Sequence, residues 1–211
     1  MTSLYKKSIK LFIISCLILL LCGCSVVRID TKNIDSMVNV ILKKNNTLYN
    51  QVGQGYKYYL PSGVTYINSD DFNDILYCDG VYYYLYINTI DYYYNSKVDY
   101  NEDNSLYYSR KLNKVDGFTN NGYLQIKETN NKYKLTFMYN YAKIEALVPK
   151  DKLYKTVLNS TYILSTIKYN KDIIELILNE DYFTNKTGKF NDYKSKEQST
   201  NFELKKETKE G

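Results

Sequence analysis

From Thr31 onward, apolar residues fall at Ile34, Met37, Val38 and Ile41, the i, i+3, i+4, i+7 spacing of an amphipathic helix. Lys32, Asp35, Lys43 and Lys44 lie on or near its other face. Asp30 or Thr31 stands where a cap is needed, and Asn45-Asn46 where the helix can end. Such a stripe more often faces a core than a partner. The period then changes from 3.6 to 2. Tyr56 to Leu60 reads as a strand, Pro61-Ser62-Gly63 as a turn, and Val64 to Ile67 as a strand able to pair back on the first. Ser69 to Asp74 is polar and predicts a loop or a single helical turn.

Ile75-Leu76-Tyr77-Cys78 and Val81 to Ile87 flank Asp79-Gly80, the pairing expected of a hairpin closed by a type I′ turn, which needs positive φ at both central residues. Tyr92-Tyr93-Tyr94 reads as a continuation or follower of that long strand. Asn95 to Ser105 reads as a loop and Leu106 to Leu112 as a strand. Tyr123 to Lys127 and Tyr133 to Tyr139 form a second hairpin around a longer turn, Thr129-Asn130-Asn131. Tyr141 to Val148 adds one more strand. Lys152 to Lys168 returns to helical spacing through Leu153, Val157, Leu158, Thr161, Leu164 and Ile167. Asp172 can cap a short last helix through Ile173, Ile174, Ile177 and Leu178.

A helix, one block of strands and further helices predict an α+β fold: an antiparallel sheet of about seven strands flanked by an N-terminal and a C-terminal helix. The domain is expected over residues 31–182. Residues 183–211 are rich in Lys, Glu, Ser and Thr and poor in apolar side chains, so a disordered polar tail is expected there.

Before the domain, Lys6, Lys7 and Lys10 precede an apolar run from Leu11 to Leu21, the layout of a secretory signal. About 12 residues of helix reach roughly 18 Å, too short for a hydrocarbon core of roughly 30 Å. At its end Leu21-Cys22-Gly23-Cys24 resembles the bacterial lipobox: an aliphatic residue at −3, small residues at −2 and −1, then a cysteine. Cys22 is less usual at −2 than Ala or Ser. The resemblance implies cleavage after Gly23, lipidation of Cys24, residues 24–30 as a spacer, and a membrane-anchored protein on the extracytoplasmic face. Two acyl chains on one residue anchor stably where one chain would not. Beyond the lipobox, Tyr56-Lys57-Tyr58-Tyr59-Leu60-Pro61 and Tyr139 to Ala146 give the chain a texture similar to small predicted lipoproteins of low-GC Gram-positive bacteria, a resemblance that implies no activity.

Removing residues 1–23 takes away three lysines and no acid, so the formal charge falls from +5 to +2. No basic run suited to phosphate backbones is left, and no nucleic-acid partner is expected. Of the four cysteines, Cys16 and Cys22 leave with the signal and Cys24 is lipidated. Cys78 then has no partner for a bridge and reads as a small buried hydrophobe rather than a reactive thiol.

With no histidine in the chain, Ser-His and Cys-His chemistry is excluded and the commonest zinc ligand is missing. No P-loop, dinucleotide fingerprint or G-x-S-x-G is present. No catalytic residue, metal site or cofactor is expected. Asp70, Asp71 and Asp74 in one loop, and Asp99, Glu102 and Asp103 in another, read as solvated acids. Asp99, Asn101 and Asp103 match three ligand positions of an EF-hand, but Asn104 replaces its glycine and Arg110 its bidentate glutamate.

The abundance of tyrosine, 26 in all, is what an AT-rich genome tends to encode. Alternation nevertheless puts Tyr82, Tyr84 and Tyr86 on one face of their strand, and Tyr83, Leu85 and Ile87 on the other. The second set reads as core. The first reads either as packed rings or as an aromatic strip for a glycan or an envelope protein. The function expected is a non-catalytic binding or assembly module at the envelope, with a carboxylate-dependent hydrolase of wall glycans as the alternative.

Membrane partition tests the anchor. In a bacterial host that lipidates proteins, the Cys24→Ala chain should lose processing and leave the membrane fraction. Unchanged processing and partition would refute the lipobox reading.

Overall fold

The computed structural model describes residues 33–112 and 122–179. The signal, Cys24 and the expected tail lie outside the described residues. The elements run α1 (Ile34–Leu42), β1 (Gln51–Gly53), β2 (Tyr56–Tyr58), β3 (Thr65–Asp70), β4 (Asn73–Cys78), β5 (Val81–Ile87), α2 (Thr89–Tyr93) and β6 (Tyr108–Leu112). They continue with β7 (Gly122–Thr129), β8 (Lys132–Tyr139), β9 (Ala142–Val148), α3 (Leu153–Thr166), β10 (Lys168–Tyr169) and α4 (Lys171–Asn179). The fold is α+β. Seven antiparallel strands follow the order β3-β4-β5-β9-β8-β7-β6, and helices precede and follow the strand block. A second, three-stranded sheet, β1-β2-β10, was not foreseen.

Three hairpins of the large sheet close through turns that hold two residues in the left-handed region. Asp79 and Gly80 have φ of 49° and 79°, as the Asp-Gly pair predicts. Asn130 and Asn131 do the same at 45° and 61°, so this turn is shorter than expected, and strands β7 and β8 pair all the way from Thr129↔Lys132 to Gly122↔Tyr139. Asn140 and Tyr141 make the third, at 53° and 57°. A tyrosine there costs on the order of 1 kcal/mol. Its hydroxyl donates to Asn95 Oδ1 at 2.6 Å and its ring meets Tyr92 edge-on, contacts that offset the strain.

The core lies on one side of the sheet. Leu76, Tyr83, Leu85, Leu124, Leu135, Phe137, Ile144 and Val148 are buried there, and Val157, Ile163 and Leu164 of α3 close over them. Helix α3 packs on β8, β9, β2 and α1. Two of its buried hydroxyls turn back on the helix: Thr156 donates to the Lys152 carbonyl at 3.0 Å and Thr161 to that of Val157 at 2.7 Å. Asn159 donates to the Tyr83 hydroxyl at 3.2 Å and lies 3.7 Å from Cys78 Sγ, which is buried as expected. Helix α1 buries Ile34, Met37, Val38 and Ile41, as its stripe predicts. Its cap is Asn33, whose Oδ1 accepts from Ser36 N at 3.0 Å, and not Asp30 or Thr31. Asp35 on its polar side accepts from Arg110 and from the Tyr108 hydroxyl, each at 2.7 Å, tying the helix to β6.

Three expectations are corrected. Val64 to Ile67 does not pair back on Tyr56 to Leu60. Both edges of β2 are taken, by β1 and β10, and β3 pairs with β4. Ser69 to Asp74 is no loop. It holds the ends of two strands, paired through Asp70↔Asn73 around the two-residue turn Asp71-Phe72, with Asp71 at φ 53°. Tyr92 to Tyr94 does not extend β5. Asn88 Oδ1 accepts from Asp91 N at 2.9 Å and starts α2 instead. The last helix also takes a different cap, since Asn170 Oδ1 accepts from Asp172 N at 3.2 Å and Ile173 N at 3.3 Å.

Candidate functional site

Alternation along β5 divides its side chains between two environments. Tyr83 is 1% exposed, and Leu85 and Ile87 are buried with it on the helix side. Tyr82, on the opposite face, is 46% exposed. The long helix α3, which packs on β8 and β9, lies on the Tyr83 side, where its Asn159 reaches the Tyr83 hydroxyl. The three phenols of the candidate strip are not equally open, because Tyr84 is half-buried and Tyr86 is buried. The Lys143 ammonium lies 5.0 Å above the Tyr86 ring, and Lys143 pairs with Glu145 at 3.2 Å. Tyr77, directly across from Tyr82, adds a ring at 5.1 Å. Farther along the same face Tyr100, from the loop after α2, stacks on Tyr123 at 5.0 Å and covers that end.

The acids sort differently from expectation. Asp70 is exposed, and so are Asp99, Glu102 and Asp103. Asp103 is held below the usual carboxylate range by hydrogen bonds from the Ser105 hydroxyl and backbone N–H. Asp74 is not a solvated acid. It shares the helix-side face of β4 with Leu76 and Cys78 and is 4% exposed. The polar composition of residues 69–74 hid this, because a strand acid and a loop acid look alike until the turn is located.

Asp74 is held by the second sheet. Tyr56 and Tyr58 alternate with Lys57 along β2 and are both buried, their rings stacked 6.2 Å apart. The Tyr58 hydroxyl donates to Asp74 Oδ2 at 2.7 Å, and the Tyr56 hydroxyl sits 3.3 Å from both carboxylate oxygens. Burial first, and then the Asp74 charge, push both phenols well above the ordinary range, so they stay neutral donors. Gly53 makes room for this arrangement. A Cβ there would lie 2.2 Å from Tyr56 Cζ. Around Asp74 opens a pocket of about 540 Å³, bounded also by Tyr66, Ser69, Asp71, Gln51 and Gln54. Small-molecule sites are commonly roughly 300–1,000 Å³.

Among the described residues no group of three or more His, Cys, Asp or Glu could hold a metal ion, and no helix is long and apolar enough to cross a membrane. No protein family, curated protein or solved structure matches the chain.

The buried phenols make alkaline stability a test of the Asp74 cluster. Their folded-state pKa values exceed the free value of about 10, so the folded chain binds more protons than the unfolded one above that pH. Their contribution is complete below about pH 10 and is lost as pH rises toward the folded values. Tyr58→Phe should flatten this alkaline fall and cost about 1–3 kcal/mol at pH 7, since Asp74 loses its shortest donor. Urea unfolding between pH 7 and 11 measures both. An unchanged slope and midpoint would contradict the assignment.

Proposed function

We propose that the chain is a lipid-anchored, extracytoplasmic binding module, tethered through Cys24 and working without catalysis through the Tyr82–Tyr84 side of its sheet. The observation that carries this reading is the contrast between neighbours on β5, with Tyr83 at 1% exposure and Tyr82 at 46%. A ring half in water offers a flat apolar face for stacking and a hydroxyl for hydrogen bonding. Tyr77, its ring 5.1 Å from that of Tyr82 and tilted 59° to it, sets a second aromatic surface beside the first for a sugar to meet. The partner proposed is therefore an envelope glycan, met at the membrane surface by an anchored domain.

A carboxylate-dependent hydrolase is the second reading, and the pocket shared by Asp71 and Asp74 is what speaks for it. The absence of histidine weighs against it, because few other groups move protons near neutral pH. Asp74 moreover already accepts from two phenols, which ties its oxygens to β2.

Binding of the full chain to purified envelope glycan tests the proposal. Tyr82→Ala should weaken binding at least tenfold while changing stability by less than about 1 kcal/mol, as surface substitutions do. Tyr83→Ala should instead cost about 3–5 kcal/mol, as large buried rings do. A Tyr82→Ala chain that binds glycan as well as the parent, or that captures only a protein, would refute the reading.

A further inference from the structure

Asp74 carries a charge that no lysine or arginine among the described residues pairs with. It is 4% exposed, and the ion pairs seen among the described residues join other groups: Arg110–Asp35, Lys143–Glu145 and Lys155–Asp79. A buried carboxylate is costly unless it is hydrogen-bonded and paired. Hydrogen bonds are supplied by Tyr56 and Tyr58, but two hydroxyl donors cannot fill the roughly four acceptor positions of a carboxylate. Among the described residues, the lining adds a second acid, Asp71, and holds no lysine or arginine. Three phenol rings, Tyr56, Tyr58 and Tyr66, bound the same space, and ring faces attract cations.

From this we infer that the pocket is a binding site for a primary alkylammonium group, with Asp74 as its counter-charge and the tyrosines as its walls. Each feature has its part in that chemistry. An ammonium has three N–H donors for the free lone pairs of Asp74 and for the side-chain oxygens of Gln51, Gln54 and Ser69. Val52, 75% exposed on β1, and Tyr66, 40% exposed on β3, give the alkyl stem an apolar rim to lie on. Anions are disfavoured by the Asp74 charge. The inference is independent of the tyrosine face and of the anchor.

The same ammonium chemistry is offered by a free alkylamine and by the tip of a peptide lysine, and the probes separate them. Calorimetric titration of the full chain in detergent should show saturable binding of n-butylammonium, at least tenfold tighter than of its neutral analogue n-butanol. Comparison with an acetyl-Gly-Lys-Gly amide reports the source: tighter peptide binding indicates a protein lysine, tighter n-butylammonium a free amine. Asp74→Asn, which keeps the shape and removes the charge, should weaken n-butylammonium at least tenfold. Because Asp74 is buried and its substitution costs stability, Gln54→Lys serves as the second variant. It puts a cation at the exposed mouth of the pocket and should weaken binding at least fivefold with unfolding unchanged. Equal affinity for n-butylammonium and n-butanol would overturn the proposal. So would a preference for a neutral sugar such as glucose, or undiminished binding by a folded Asp74→Asn or Gln54→Lys chain.

Discussion

The packing of α3 across β8 and β9 is the interaction on which the rest depends. That helix also touches α1 and β2, so it joins the N-terminal helix, the large sheet and the small sheet in one core. Leu153, Val157, Ile163 and Leu164 are buried along it, each worth about 1.5–3 kcal/mol in area removed from water. Its polar residues are not idle in that core. Asn159 reaches the Tyr83 hydroxyl, and Thr166 Oγ1 accepts from Tyr59 N at 3.0 Å, fastening the end of β2. Asn140, at the β8–β9 turn, donates to the Ile167 carbonyl at 2.8 Å just past the helix end. The helix is thus bonded at its C-terminal end to both sheets.

One-sided coverage has two consequences. Strands β4, β8 and β9 alternate between buried and more open residues, and the side away from α3 carries half-buried and exposed residues such as Tyr82, Thr136 and Leu147. The small sheet, held at β2 by α3 and closed on its β10 side by the Asn170 N–H to Gly55 carbonyl bond of 2.8 Å, stands beside β4 of the large one. There Tyr56 and Tyr58 meet Asp74, and the pocket opens between the two sheets. The position of the candidate pocket follows from where α3 holds β2.

The fold class was legible because its signals are local. The Asp79-Gly80 turn between two apolar runs dictates β4 and β5, and the stripe Ile34-Met37-Val38-Ile41 dictates α1. Period 2 also puts Tyr82 and Tyr83 on opposite faces, but which face is open depends on where the helix packs, and the structure leaves Tyr82 exposed and Tyr83 buried. What was not legible is long-range. Residues 51–53 and 168–169 are too short to show a period, and they become strands only because β2 lies between them. Asp74 looks like its neighbours Asp70 and Asp71 until the two-residue turn is found and alternation turns it inward. Tyr86 has the same parity as Tyr82 but sits against Lys143 on the neighbouring strand, a contact made by residues 57 apart in the chain. Cap residues were displaced by a few positions, to Asn33 and Asn170, because several side chains near each helix start can accept the same N–H groups.

The central claim is that the sheet has one covered face and one open face, and chemical modification of neighbouring tyrosines tests it most directly. In the native full-length chain, tetranitromethane should nitrate Tyr82 at least tenfold faster than Tyr83, as read by peptide mass spectrometry. The difference should vanish in urea. Equal native rates at Tyr82 and Tyr83, or protection of Tyr82, would mean that both faces are covered and would contradict the account.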